Sequence, residues 1–171
     1  ADDRAVLNEL HAQDGQMLDA QMRHDRRVKT LSIDGWRAVK SLLPPKERRG
    51  VMLIDPPFEA AGEFQRLETA LGEGCRRFAG GIMMLWYPIK AGGDAERFKK
   101  RLAGGDVRRL LMVELMVRHP DQPGQLNGSG LIIRNPPFGL DEELKVIMAW
   151  LSSSLAQAAG AQGRVAWLVD E

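Results

Sequence analysis

Apolar runs of strand length alternate along the chain with stretches whose apolar positions recur every third or fourth residue, the pattern of an α/β sheet with helices on its faces. Ala5–Leu10 reads as a strand, and Met17, Leu18 and Met22 give the segment from Gln13 to Met22 one apolar helical side. Val28–Ile33 reads as a second strand closing on Asp34-Gly35, and Trp36–Leu43 as a short helix stopped by Pro44-Pro45. Gly50–Ile54 has no polar interruption, which predicts a strand buried on both faces of a parallel sheet, and it stops at Asp55 and two prolines. The pattern then predicts a helix over Glu63–Phe78, a strand over Gly81–Tyr87, a helix over Asp94–Leu102 and a strand over Val107–Val117. A turn-rich loop follows over His119–Ser129, then a strand over Leu131–Arg134, a helix over Asp141–Ala158 with Leu144, Ile147, Met148 and Leu151 on one side, and a closing strand over Val165–Val169. Trp36, Trp86, Trp150 and Trp167 are expected in the core, with Trp86-Tyr87-Pro88 set apart because it ends a strand at the carboxyl edge of the sheet.

A chain of 171 residues suits one domain with one sizeable core. Its net charge of +1 leaves nucleic-acid binding to local patches, for which Arg23 with Arg26-Arg27, Lys46 with Arg48-Arg49, Arg76-Arg77, Lys99-Lys100-Arg101 and Arg108-Arg109 are the candidates. The single cysteine, Cys75, allows neither an intrachain disulfide nor a CxxC metal knuckle and fits a reducing, cytoplasmic compartment. No run approaches the roughly 18 apolar residues of a membrane span, so no membrane partner is expected. The chain starts without Met and runs almost at once into an apolar stretch, so the natural N-terminus is expected to be missing and the chain to be part of a longer protein.

Three successive strand ends carry an acid: Glu9, Asp34 and Asp55. Ligands of open α/β sheets bind beyond the carboxyl ends of the strands, where a carboxylate can accept ribose hydroxyls or an exocyclic amine. The third acid opens Asp55-Pro56-Pro57-Phe58. An adenine amino group is a poor nucleophile because its lone pair is delocalised into the ring. A carboxylate and the Pro56 carbonyl, accepting its two N–H bonds, can draw the nitrogen toward tetrahedral geometry, while Phe58 offers the unstacked base a face. His11 is read as a surface or capping residue, and His24 and His119 carry no role.

A (D/N/S)PP(Y/F/W) tetrapeptide after a buried strand is the signature of amino-methyltransferases. The stretches LNELH, SIDG, LPPKERRGVMLIDPPFE, LWYP, SGLIIRNPPF and VAWLVDE make essentially the whole chain similar to the bacterial 23S ribosomal RNA adenine-N6 methyltransferase family RlmJ. The resemblance implies a class I, Rossmann-like methyltransferase sheet and S-adenosylmethionine as cofactor. It implies that Glu9 binds the cofactor ribose, Asp34 and Gly35 the cofactor adenine, and that Asp55 is catalytic. The implied partner is 23S ribosomal RNA, protein-free or in early assembly, met by a monomer. Phe58 stands where the family usually has Tyr, which preserves stacking without a phenol. The family's N-terminal histidines, HAG-type glycine loop and first strand have no counterpart in the sequence, so a break is expected between the strands ending at Glu9 and at Asp55, and the residues present are expected to bind cofactor poorly alone.

A second tetrapeptide, Asn135-Pro136-Pro137-Phe138, also follows an apolar run. DPPF is favoured because it comes one strand-helix step after Asp34; NPPF is read as a strand-ending turn in which Asn135 starts the next helix. Three functional classes follow: RNA adenine methyltransferase, DNA adenine or protein glutamine methyltransferase, and a cofactor-binding domain without chemistry or a dinucleotide oxidoreductase. The absence of GxGxxG speaks against the last.

Overall fold

The computed structural model describes residues 3–170 and divides the chain into two compact units, the first ending at Leu43 and the second starting at Pro44. In the first unit β1 (Ala5–Asn8), α1 (Ala12–Met22), β2 (Val28–Leu31) and α2 (Gly35–Leu42) follow the expected order. The two strands pair in parallel, Ala5 opposite Val28 and Asn8 opposite Leu31, as a strand-helix-strand connection requires. They form a sheet of their own among the described residues, so the break expected after the strand ending at Glu9 is present.

The second unit holds β3 (Val51–Ile54), α3 (Glu63–Arg77), β4 (Ile82–Ile89), α4 (Asp94–Ala103), β5 (Leu110–Met116), β6 (Gly128–Arg134), α5 (Leu140–Ser154) and β7 (Gln162–Val169). Its strands lie in the order β3-β4-β6-β5-β7. Of the neighbouring pairs in this sheet only β3–β4 is parallel, and it is the one neighbouring pair joined through a helix; β5 and β6 are joined by a loop and run antiparallel, and β4–β6 and β5–β7 are antiparallel as well. One core buries Leu67 and Leu71 of α3, Leu85 and Tyr87 of β4 and Phe98 of α4. The other packs Met148 of α5 on Leu111, Val113 and Ile133, with Ile82, Met84, Leu144 and Leu151 around them.

Four expectations change. The uninterrupted apolar run of β3 predicts burial on both faces, yet Val51 and Leu53 are about three-fifths exposed (62% and 59%) while Met52 and Ile54 between and after them are partly buried, so one face of this edge strand is left uncovered among the described residues. The glycines and polar residues before Leu131 read as a loop, yet β6 begins at Gly128. There glycine serves close packing: a Cβ on Gly128 would stand 2.3 Å from the Leu115 carbonyl oxygen, and one on Gly130 would stand 2.1 Å from Cζ of Tyr87. Trp150 is two-thirds exposed on the outer side of α5, and Ile147 joins it there rather than facing the sheet. Trp167 is also partly exposed, its indole N–H donating to Asp141 Oδ2 at 3.2 Å. Among the described residues no helix is long and apolar enough to cross a membrane.

Candidate active site

In the first unit, parallel pairing brings the carboxyl ends of β1 and β2 side by side, so Glu9 and Asp34 follow neighbouring strand ends. The Glu9 amide extends the ladder by donating to the Leu31 carbonyl at 3.0 Å. The turn after β2 is pinned by a residue to which the sequence reading gave no role. The Asn8 carboxamide donates to the Ile33 carbonyl at 2.9 Å and accepts from the Ile33 amide at 3.1 Å. Both implied cofactor ligands also have structural work. Glu9 Oε1 accepts from the His11 amide at 2.7 Å, and Asp34 Oδ1 accepts from the Arg37 amide at 2.9 Å, capping α2, whose first residue is Gly35. Each carboxylate keeps a second oxygen with no partner among the described residues, an acceptor of the kind a ribose diol or an exocyclic amine needs. His11 is the residue preceding α1, with Nδ1 3.0 Å from Asp14 Oδ2, in keeping with its surface reading.

In the second unit, Asp55 is exposed directly beyond the carboxyl end of β3, and what burial it keeps raises its carboxyl above the usual aspartate range. Pro56 is buried. Phe58 is half-buried in left-handed backbone, with φ at 55°, and its ring centroid lies 4.9 Å from Phe64 and 5.9 Å from Trp86. Glu63, first residue of α3, is 5% exposed, and its Oε2 has no hydrogen-bond partner among the described residues. The sequence reading assigned it nothing, since a Glu at a helix start reads as a solvated one.

Strand direction separates the two tetrapeptides. Ile54 lies opposite Leu85 on the parallel strand, whereas Arg134 at the end of β6 lies opposite Met83 on an antiparallel one. Asn135 therefore turns off at the amino end of β4, away from Asp55. It sits at φ 56° and donates from Nδ2 to the Gly80 carbonyl at 3.1 Å. It ends a strand as expected but does not start the helix: Gly139 precedes α5, with no side-chain cap, and Pro136-Pro137-Phe138 intervenes. Phe138 itself is fully exposed.

Five cations of the basic clusters are paired with carboxylates. Arg76 and Arg77 both pair with Glu73, Arg101 pairs with Glu68, Arg27 with Asp25, and Lys99 is buried against Glu114 and Glu96. The sequence reading treated Lys99 as a surface cation; burial removes it from any phosphate surface.

Residues 1–169 match the family model described as ribosomal RNA large subunit methyltransferase D, RlmJ. Two proteins named ribosomal RNA large subunit methyltransferase J are similar over 99% of the chain: one from Escherichia coli at 35% identity and one from Haemophilus influenzae at 36%. The chain spans 60% of the length of each. A crystal structure of a Legionella pneumophila protein superposes with a TM-score of 0.86 at 26% identity, covering 96% of this chain and 61% of that one. A probable spermidine synthase from Corynebacterium glutamicum gives 0.56 at 18% identity over 96% of this chain and 58% of its own, a likeness of fold alone. The fold is mixed α/β, with five helices among its seven strands, and is shared with these solved structures.

Proposed function

Because the chain belongs to the large-subunit ribosomal RNA methyltransferase family RlmJ, we propose that the protein transfers a methyl group from S-adenosylmethionine to the N6 amino group of an adenine in 23S ribosomal RNA. The observation that carries the choice of chemistry is the placement of DPPF at the carboxyl end of β3, with an exposed carboxylate followed by a proline-fixed turn and an aromatic ring. S-adenosylmethionine supplies an electrophilic methyl when bound. Glu9 accepts from its ribose hydroxyls, and Asp34 with Gly35 receives its adenine. Asp55 and the Pro56 carbonyl accept the two N–H bonds of the target amine and thereby direct its lone pair outward. Phe58 stacks on the base and offsets part of the cost of taking it out of its helix. The enzyme acts on protein-free or early-assembly RNA, as a monomer, in the cytoplasm.

The test is transfer of labelled methyl from S-adenosylmethionine to protein-free ribosomal RNA by the full-length protein, comparing wild type, Asp55→Ala and Asn135→Ala. Label recovered as N6-methyladenine and lost only in Asp55→Ala is the expected result. Loss only in Asn135→Ala would move the chemistry to the other loop. Label on protein or DNA alone would move it to the other amino-methyltransferase classes.

A further inference from the structure

We propose that Trp86 is a positioning residue for methyl transfer: with Phe64 it holds Phe58 in the left-handed conformation from which the ring is presented to the target base. The inference rests on the reading of DPPF as the catalytic loop. A non-glycine residue at φ 55° is strained, and the two prolines before it fix their own backbone without fixing that of Phe58. What holds the conformation is the ring. Phe58 packs tilted on Phe64 at 4.9 Å and meets Trp86 edge-on at 5.9 Å, and a pair of such contacts offsets strain of this order.

The two supports differ in kind. Phe64 is anchored in the core through Phe98, 5.2 Å away and fully buried, which in turn meets Tyr87 edge-on at 5.4 Å. Trp86 lies on β4, where Ile54 faces Leu85, so the next position along β4 stands beside Asp55. Trp86 thus touches the aromatic member of the loop from the strand position that follows the partner of Ile54. It is also only half-buried, while Leu85 and Tyr87 on either side are 0% exposed, so it is not core filler. A side chain on a rigid strand that touches the strained residue of the loop can set where the base stacks without touching the methyl donor.

The experiment uses the full-length protein and measures kcat and KM for methyl transfer to protein-free ribosomal RNA, with S-adenosylmethionine affinity and Tm measured alongside, for wild type, Asp55→Ala, Trp86→Leu and Trp86→Phe. Trp86→Leu is expected to lower kcat about tenfold while leaving cofactor affinity unchanged, and Trp86→Phe, which restores an aromatic edge, to recover most of the loss. Wild-type kcat in Trp86→Leu, or an equal loss in both Trp86 variants, would overturn the positioning role while leaving the activity and the effect of Asp55→Ala intact. A wild type that methylates no RNA would instead overturn the catalytic reading, and the positioning role with it.

Discussion

The phenol of Tyr87 on β4 reaches across β6 to donate a 2.9 Å hydrogen bond to Glu114 Oε1 on β5. Gly130 is the cross-strand partner of both residues and leaves the clearance for the ring. Lys99 of α4 closes on the same oxygen at 2.6 Å, and Arg164 stands 3.7 Å from the other. A carboxylate that is 2% exposed is thus met from three elements around it.

Gly130→Ala is expected to destabilise more than Tyr87→Phe. The first drives a methyl into the ring, for which overpacking costs of about 1–3 kcal/mol are a floor, and the second removes one hydrogen bond to a charged acceptor. The two should couple: in a Tyr87→Leu background Gly130→Ala should cost much less. Denaturant unfolding of the four proteins measures the coupling, and additive costs would show that the ring and the glycine do not meet as described.

Burial, and next the Glu114 charge, push the Tyr87 phenol above its ordinary range. Its folded-state affinity for the proton is raised, so the stability it contributes is present below the unfolded tyrosine value of about 10 and is lost as pH rises beyond it. Tyr87→Phe should flatten the alkaline fall of Tm. An unchanged alkaline limb would assign that fall to other groups.

Lys99→Met strips the buried carboxylate of its shortest cationic partner and should cost about 3–5 kcal/mol, whereas Lys99→Met with Glu114→Leu and Tyr87→Phe, which leaves neither the charge nor the phenol unpaired, should recover part of it. A triple variant no better than the single one would mean that the pair contributes through packing rather than charge.

The Asp55 carboxyl is raised by partial burial, and its proposed role as acceptor needs the ionised form. Methyl transfer should therefore fall as pH drops through a value above the ordinary aspartate figure of about 3.9. Asp55→Asn keeps an acceptor oxygen but takes up no proton, so its slower reaction should lack that acid limb. A kcat/KM profile on RNA settles the matter, and the same limb in Asp55→Asn would place the titrating group elsewhere.

Asn8→Ala removes both hydrogen bonds that pin the turn before Asp34. In the full-length protein it should weaken S-adenosylmethionine binding about tenfold without removing a proposed ligand, a loss of about 1.4 kcal/mol. Asn8→Asp, which keeps the bond from the Ile33 amide, should fall between. Calorimetry with wild-type affinity in Asn8→Ala would show that the turn holds its shape unaided.

Seven strands and five helices were legible in the order found, because apolar runs of strand length alternate with helical spacing; β4 alone ran on past its expected stop, through Pro88 to Ile89. The residues that escaped reading are those whose purpose lies across the chain. Gly128 and Gly130 looked like turn residues because their role is clearance for Leu115 and Tyr87. Lys99 looked solvated because Glu114 is 15 residues away, and Asn8 looked unremarked because Ile33 is 25 away. The exposure of Val51 and Leu53 was hidden since an apolar run carries no sign of which neighbours will cover it. The acids at the strand ends were legible as positions. Their local roles, Asp34 capping α2 and Glu9 accepting from the His11 amide ahead of α1, emerged only with the backbone of those turns in place.

The reversal of β6 against β4 makes polarity a postal system for chemistry. Two tetrapeptides with almost the same lettering leave the sheet at opposite destinations, and the direction of travel of the strand before each decides where it is delivered. Copying Asp for Asn at position 135 would therefore produce a second spelling of the reactive loop at an address where no partner strand runs alongside in the same direction. Relocating the chemistry would take a reversed strand, not an edited word.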